Sequence, residues 1–297
     1  MSTVLITGAT GLLGSTLIPG LLRKGFKVIT HSQHSAADFQ ADLANQQATS
    51  ELLDQVKPDT LINLVGLTNV DLCETQPNAA YIANTKIVEN ITDWIKKTKT
   101  ACHLVQISTD QVYDGEGPHY EDLVKLTNYY AFSKYAGELL ASRVSSTILR
   151  TNFFGYSHCE KRQSLTDWLF LSLSDDIDIQ VFDDVMFSPL SMTTIAEIIQ
   201  HVIKKKPNGV FNLGSRNGMS KADFAFAFAG ELNLNTNRLQ RTTTKQVTSL
   251  KTYRPKDMRM DCTKLEETFK FKLPLLIDEI KLSAKEYNEQ TRCLFRN

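Results

Sequence analysis

Residues 4–14 read VLITGATGLLG, an apolar run that passes directly into a loop with three glycines. The run predicts a short buried strand, and the residues that follow have a helical pattern. A glycine loop between a strand and a helix permits a tight turn, lets the backbone approach a pyrophosphate and lets the helix pack closely on the strand. We therefore interpret Gly8, Gly11 and Gly14 as a dinucleotide-binding loop, with a plain strand-to-helix turn as the alternative. Pro19, inside the helix, predicts a kink or an early break.

Strands and helices alternate through the first half of the chain. Strands are predicted at residues 4–6, 27–30, 60–66, 104–109 and 147–150, a loop at residues 68–74, and helices at residues 78–99 and 130–143. This order predicts an α/β fold with a doubly wound parallel sheet. Ligands of such sheets bind at the carboxyl ends of the strands, where Gly8, Gly66, Thr109 and Asn152 are found.

The second half of the chain is more mixed. Helices are predicted at residues 164–173, 192–205 and 276–290, a helix start at Ser220, and strands at residues 177–182 and 209–214, the latter returning to the main sheet. Two arginines in residues 254–261 could grip a diphosphate or belong to a solvated loop. We expect a dinucleotide-binding domain over residues 1–155, with residues 188–214 returning to it. The interleaved, smaller substrate-binding domain then takes residues 156–187 and 215–297.

Residues 108–134 carry the candidate catalytic side chains. Tyr130 and Lys134 are four residues apart on a predicted helix, so they share one face. A lysine cation close to a phenol lowers the pKa of the phenol, which predicts that Tyr130 exchanges protons near neutral pH. Thr109 ends the preceding strand and supplies a hydroxyl that could hold a carbonyl oxygen. A Tyr-x-x-x-Lys pair also occurs by chance in many helices, so the prediction depends on the glycine loop upstream.

The second strand bears on the choice of cofactor. His31 and Ser32 follow it, where an NAD enzyme usually carries an acidic residue. An acid would repel a 2′-phosphate, so its absence favours NADP(H), while the lack of an arginine there leaves NAD(H) open. Asp42 precedes a helical stretch and could equally be a helix N-cap. Asn84, within the predicted helix 78–99, could face either the cofactor or solvent.

Composition narrows the class of protein. Apolar residues make up 42% of the 297 residues and charged residues 22%, as in ordinary soluble proteins. Lys+Arg and Asp+Glu are both 33, which argues against a nucleic-acid-binding protein. No apolar run is long enough for a membrane span, and the histidines show no metal-binding spacing. The scattered cysteines, Cys293 among them, predict reduced thiols in a cytoplasmic protein without a signal peptide.

These segments together resemble the extended short-chain dehydrogenase/reductase superfamily, and most of all its dTDP-4-dehydrorhamnose reductase branch. The resemblance is carried by residues 7–14, 69–74, 107–115, 130–138, 150–155, 188–189, 211–214 and 254–265. The run STDQVYDG, residues 108–115, is the most specific of these. The resemblance implies a Rossmann domain with a small C-terminal substrate domain. It also implies that Thr109, Tyr130 and Lys134 form a catalytic set.

By the same resemblance, Tyr130 would donate a proton, Thr109 would hold the carbonyl oxygen, and Lys134 would tune Tyr130 and hold the nicotinamide ribose. A hydride would pass from the nicotinamide to the C4 carbonyl of a nucleotide-linked 4-keto-6-deoxy sugar. Two departures leave the sugar open. Residues 11–14 read GLLG where the branch usually has GQLG, and residues 152–154 read NFF where the reductases often carry a tryptophan.

The expected site residues fall into two groups. Those expected at the cofactor are Gly8, Thr10, Gly11, Leu12, Leu13, His31, Ser32, Asp42, Leu43, Leu64, Val65, Gly66, Asn84, Ser108, Tyr130, Lys134, Asn152 and Phe153. Those expected at the substrate are Thr68, Val70, Thr109, Asp110, Val112, Asn152 and Arg254.

Other functions use the same framework. A nucleotide-sugar epimerase can employ the same threonine, tyrosine and lysine, whereas a dehydratase is disfavoured because Asp110 is followed by glutamine rather than glutamate. The alternative in which the protein is not an enzyme is a non-catalytic binding subunit. We expect a nucleotide-sugar ligand, no metal, no nucleic acid, no membrane, and a monomer or homodimer.

Overall fold

The structure, a computed structural model, describes residues 2–294 and the side chains of residues 2–290; the side chain of Cys293 lies outside that part. The strands are β1 (Thr3–Thr7), β2 (Lys27–Ser32), β3 (Phe39–Gln40), β4 (Thr60–Asn63), β5 (His103–Thr109), β6 (Ser146–Thr151), β7 (Phe153–Phe154), β8 (Ile179–Phe182), β9 (Met186–Phe187), β10 (Leu190–Ser191), β11 (Gly209–Leu213), β12 (Met219–Ser220) and β13 (Leu239–Thr242). The α-helices are α1 (Leu12–Arg23), α2 (Gln46–Val56), α3 (Val70–Thr75), α4 (Pro77–Tyr81), α5 (Ile87–Thr98), α6 (Tyr129–Ala141), α7 (Leu165–Ser174), α8 (Met192–Lys205), α9 (Lys221–Glu231), α10 (Thr263–Phe269) and α11 (Leu276–Leu294). A π-helical segment, Ile82–Lys86, joins α4 to α5.

Seven strands form one sheet in the order β11-β6-β5-β4-β1-β2-β3. Every pairing in it is parallel. All residues of β4, β5 and β6 are buried, as expected where helices cover both faces of a parallel sheet. The predicted α/β doubly wound fold is therefore confirmed, and so is the return of residues 209–213 to the main sheet beside β6.

Helices cover the two faces of the sheet and a separate core lies beyond it. One face packs against α1 and α8, and the other against α2, α5 and α6. A further apolar cluster joins α7, α9 and α11 around Phe154, Phe224 and Phe228. Because this cluster contains residues from both 156–187 and 215–297, it is consistent with the predicted domain division, which stays a prediction.

Three predicted elements in the first half differ from the structure. The strand expected over residues 60–66 ends at Asn63, because the Asn63 side chain accepts a hydrogen bond from the Val65 amide (3.2 Å) and turns the chain. The loop expected over residues 68–74 contains α3, which Asn69 caps by accepting from the Leu72 amide (2.9 Å). The helix expected over residues 78–99 is interrupted by the π-helical segment.

Of the kink or early break predicted at Pro19, the early break is excluded, and so is the alternative of Asp42 as a helix N-cap. The first helix does not break at Pro19 but continues to Arg23. Pro19 is exposed, so the carbonyl that lacks an amide partner there can be hydrated. Asp42 is not a helix N-cap; Asn45 caps α2 by accepting from the Ala48 amide (3.0 Å).

None of the described helices is long and apolar enough to cross a membrane. Among the described residues, no cluster of histidine, cysteine, aspartate and glutamate could hold a metal ion. The described cysteines are free thiols, and Cys73, Cys102 and Cys262 are buried.

Candidate active site

The loop between β1 and α1 can be built only with glycines at two positions. Gly8 has φ +71°, and a Cβ there would lie 3.1 Å from the Leu64 carbonyl carbon, so the loop crosses the end of β4 at close range. A Cβ at Gly14 would overlap the Ala9 carbonyl. Gly11, the residue before α1, has no side chain with which to cap the amides at the helix start. This arrangement suits phosphate oxygens, because amides at a helix start attract anions.

A groove runs along the carboxyl ends of the strands, past this loop. One part is lined by Gly8, Thr10, Gly11, His31, Ser32, Asp42, Leu43, Leu64, Val65 and Gly66. The other shares the glycine loop and continues to Leu12, Leu13, Thr68, Ser108, Thr109, Asp110, Tyr130, Lys134, Asn152 and Phe153. In dinucleotide folds the glycine loop binds the pyrophosphate, with the adenosine on one side and the reactive ring on the other. We therefore call the first part the adenosine part and the second the catalytic part. The structure thus brings most of the predicted residues into one groove.

The three predicted catalytic residues meet at the end of β5. Thr109 is the last residue of that strand, and Tyr130 and Lys134 lie in the first turns of α6, which Asn128 caps through the Ala131 amide (2.8 Å). The side chains of Tyr130 and Thr109 both line this end of the groove. All three side chains are buried at the base of the catalytic part. A carbonyl oxygen placed there would meet two hydroxyl groups.

Burial controls the ionisation of Tyr130 and Lys134. It raises the pKa of Tyr130 well above its ordinary value, whereas the sequence predicted that Lys134 would lower that pKa. The Lys134 Nζ instead donates to the Ile107 carbonyl at 2.7 Å. Burial lowers the pKa of Lys134 itself to about 8, against the opposing effect of the Glu138 carboxylate.

Asn84 lies behind the groove rather than in it. Its Oδ1 accepts from the Leu67 amide (2.8 Å), and its Nδ2 donates to the Leu67 carbonyl (3.0 Å) and to Ser133 Oγ (2.9 Å). The side chain is buried, which excludes the surface alternative. Asn84 is not among the residues that line the groove, and these bonds hold the Leu67 loop against α6. Its expected place near the cofactor stays a prediction.

Three predicted substrate residues do not reach the groove. Val112 is fully buried in the main core, because the short 3-10 turn Asp110–Val112 directs it inwards. Val70, the first residue of α3, packs against the apolar cluster that contains Cys73 and Ala80. Arg254 lines neither part; its guanidinium pairs with Asp71 at 2.7 Å.

Asp110 is a buried carboxyl at the catalytic end. It accepts a hydrogen bond from Asn152 Nδ2 (2.8 Å) and adjoins Thr109. Burial raises the pKa of Asp110 to about 6, although Asn152 and the charge of Lys221 oppose this rise. Lys221, the first residue of α9, was not identified from the sequence, since nothing in its local pattern relates it to Asp110.

Sequence reasoning also missed two cations and an ion pair. Lys161 lines the adenosine part, and Arg162 lines both parts of the groove. Glu138 and Arg150 form a buried pair with 2.6 Å between Oε2 and the guanidinium, and Ser108 donates to the same carboxylate. Of these four residues, only Glu138 could have been noticed from its local sequence, because it lies four residues after Lys134 on the same helix face.

Known proteins share this architecture over nearly the whole chain. The family model described as RmlD substrate binding domain matches residues 1–289. The methionine adenosyltransferase 2 subunit beta of Rattus norvegicus is 26% identical over 287 residues, covering 89% of this chain and 81% of that protein. A dTDP-4-dehydrorhamnose reductase of Shigella flexneri is 26% identical over 287 residues, covering 91% of this chain and 93% of that protein.

Solved structures agree with the fold. A dTDP-4-dehydrorhamnose reductase of Clostridium acetobutylicum superposes with a TM-score of 0.86 at 25% identity, covering 96% of this chain and 99% of the other. A dTDP-4-dehydrorhamnose reductase of Bacillus anthracis in complex with NADP gives 0.87 at 22% identity, with the same coverage of 96% and 99%.

Proposed function

Because the chain belongs to the RmlD substrate binding domain family, we propose that it is an NAD(P)H-dependent oxidoreductase. Its substrate would be a nucleotide-activated 4-keto-6-deoxy sugar, reduced at the C4 carbonyl. The observation that carries the proposal is the meeting of Thr109, Tyr130 and Lys134 at one end of a groove that runs past the glycine loop. The similarity to a dTDP-4-dehydrorhamnose reductase over 91% of the chain supports the same reaction class.

The residues of the groove fit a nicotinamide dinucleotide. Gly8 and Gly11 would take the pyrophosphate, Ser32 and Leu43 would lie at the adenosine, and Lys134 would hold the nicotinamide ribose. When bound, the reduced nicotinamide supplies the hydride. We favour NADPH, with NADH as the alternative.

The chain's own contribution is proton transfer and orientation. The Tyr130 hydroxyl, buried beside Thr109 in the groove, would donate its proton to the carbonyl oxygen as that oxygen gains charge. Thr109 would share the oxygen and fix its direction. A nearby ammonium stabilises a phenolate. Lys134 would supply that ammonium once its Nζ leaves the Ile107 carbonyl. Thr68, Asp110 and Asn152 line this end and would contact the sugar.

A direct assay tests the proposal. The purified protein is mixed with NADPH, then with NADH, and with dTDP-, UDP- and GDP-linked 4-keto-6-deoxy sugars, while the absorbance of the reduced nicotinamide is followed. Oxidation of the cofactor with one of these sugars supports the reductase and identifies the nucleotide. Binding of NADPH without oxidation by any sugar would reject it.

A non-catalytic subunit is the second candidate. It is favoured by the 26% identity to a methionine adenosyltransferase subunit over 89% of this chain. If NADPH binds and no sugar is reduced, co-purification of a stable partner enzyme from the source cells, with a change in its kinetics, would support this role.

A further inference from the structure

Residues 157–162 form a closed loop fastened over the cofactor groove. The Ser157 hydroxyl accepts from the Cys159 amide (3.0 Å) and donates to the Arg162 carbonyl (2.9 Å), which closes the loop on itself. The Ser157 amide donates to Asp167 Oδ1 (3.3 Å), and the Cys159 thiol donates to the Thr10 carbonyl (3.2 Å). The second contact ties the loop to the glycine turn. Its side chains are thus presented at a defined place above the groove.

The loop brings two positive charges to that place. The Lys161 ammonium lies 3.3 Å from Ser35 Oγ, and Lys161 lines only the adenosine part. Arg162 lines both parts, beside the shared glycines. Both side chains are exposed, and neither forms an ion pair with any side chain among residues 2–290. Their charges are therefore available to an anionic ligand in the groove.

The end of β2 cannot supply such a charge itself. Burial lowers the pKa of His31, whose Nε2 donates to the Ala41 carbonyl (3.0 Å), so the ring is neutral at pH 7. Ser32 is buried and accepts from the Ser35 amide (2.9 Å). In dinucleotide folds the ribose 2′ position lies at the end of this strand, and an arginine nearby accommodates a 2′-phosphate. The lysine and arginine that line this part, Lys161 and Arg162, come from residues 157–162, and Asp42 is the acidic residue that lines it.

We propose that residues 157–162 supply the phosphate-binding cations of the cofactor site, with Lys161 at the 2′-phosphate of NADPH and Arg162 at the pyrophosphate. This inference rests on the proposed nicotinamide-dependent function. The 2′-phosphate and the pyrophosphate distinguish the two cofactors differently. A cation at the 2′-phosphate matters to NADPH alone, whereas one at the pyrophosphate matters equally to NADPH and NADH.

Titration of the full-length protein with each reduced cofactor, followed by nicotinamide fluorescence, separates the two roles. Lys161→Met is expected to weaken NADPH binding about 10-fold, the size of one charge-assisted contact, and to leave NADH binding within about 2-fold. Lys161→Arg is expected to restore NADPH binding. Arg162→Met is expected to weaken both cofactors by similar factors of about 10.

Matched controls exclude a general effect of charge or folding. Lys281→Met removes one exposed lysine from α11, and it is expected to change neither affinity. All variants should melt within a few degrees of the wild type, because the substituted side chains are exposed. An unchanged ratio of NADPH to NADH affinity in Lys161→Met would overturn the assignment of Lys161. Unchanged affinities in Arg162→Met would overturn that of Arg162. Failure of the wild type to bind either cofactor would instead reject the proposed function.

Discussion

Desolvation, rather than proximity, sets the ionisation of Tyr130 and Lys134, the proposed catalytic residues. Tyr130 and Lys134 share a helix face, yet the lysine ammonium contacts a backbone carbonyl and the phenol keeps its proton. A buried phenol with a raised pKa is a proton donor that stays loaded until negative charge develops on the oxygen beside it. In the proposed reaction, Tyr130 is therefore suited to donating a proton rather than to persisting as a phenolate.

Tyr130→Phe is the sharpest single-residue test of this chemistry. Removing the hydroxyl should lower the rate of sugar reduction by roughly 100- to 10,000-fold, the range for a positioned proton donor. Steady-state kinetics would give the rate, and fluorescence titration should show NADPH affinity nearly unchanged. A variant with wild-type turnover would show that the proton comes from another group.

The Asp110 carboxyl should cost the protein stability at neutral pH. Its pKa is about 6 in the folded chain, against about 4 for an unfolded aspartate. The folded state thus binds more protons between those values, and the free energy of unfolding falls as the pH rises through them. Asp110→Asn should therefore stabilise the protein at pH 7.5 by roughly 1–3 kcal/mol and by much less at pH 4. Urea unfolding of both proteins at the two pH values would show it; an equal difference at both would contradict the burial argument.

At the scale of elements, the π-helical segment is the departure that shapes the site. It directs Asn84 towards Leu67 and Ser133, and it brings the Asn84 backbone carbonyl against Gly137 of α6. A Cβ at Gly137 would overlap that carbonyl. The two helical segments can therefore approach so closely only because position 137 has no side chain.

Gly137→Ala and Gly230→Ala should change stability in opposite directions. The first places a methyl group against backbone and should lower the free energy of unfolding by about 1–3 kcal/mol. The second lies in α9 with open space around the new Cβ, and it should raise stability by about 0.5–1 kcal/mol through helix propensity. Urea unfolding measures both. Stabilisation by both substitutions would show that α6 can move away from Asn84 at little cost.

Those features of the fold and the site that depend on residues close together in the chain could be predicted from the sequence. The glycine loop, the alternation of strands and the spacing of Tyr130 from Lys134 all depend on neighbours in the chain. The orientation of Asn84 and Val112 could not, because a π-helical segment and a 3-10 turn rotate them away from the regular pattern. Lys161 meets Ser35 across 126 positions, and no local pattern records that meeting.

At the scale of the whole molecule, a buried polar network joins the sheet to the C-terminal segments. Arg150 Nη1 donates to the Tyr113 hydroxyl (2.7 Å), which donates to Asn212 Oδ1 (2.7 Å). Asn212 Nδ2 donates to the carbonyls of His119 and Asp261 (both 2.9 Å). The network begins at Glu138 on α6, the helix that also carries Tyr130 and Lys134, so α6, β6 and β11 are held in one arrangement.

Removing one charge from this network should cost more stability than removing both. Arg150→Met leaves the Glu138 carboxylate buried without its partner and should cost about 3–5 kcal/mol. Adding Glu138→Gln should recover part of that loss, because a neutral amide is cheaper to bury than a charge. Denaturant unfolding of the two variants and the wild type tests this. A double variant no more stable than Arg150→Met alone would show that the hydrogen bonds, not the charge, dominate.

The place of β11 at the edge of the sheet has a consequence for biosynthesis. A ribosome completes β6 first and β11 only about 60 residues later, which at about 5–20 residues per second takes roughly 3–12 s. During that interval the backbone amides and carbonyls on the outer side of β6 have no partner strand. The nascent chain therefore offers an open β-edge to chaperones, or to other nascent copies, until its own late strand arrives to cover it.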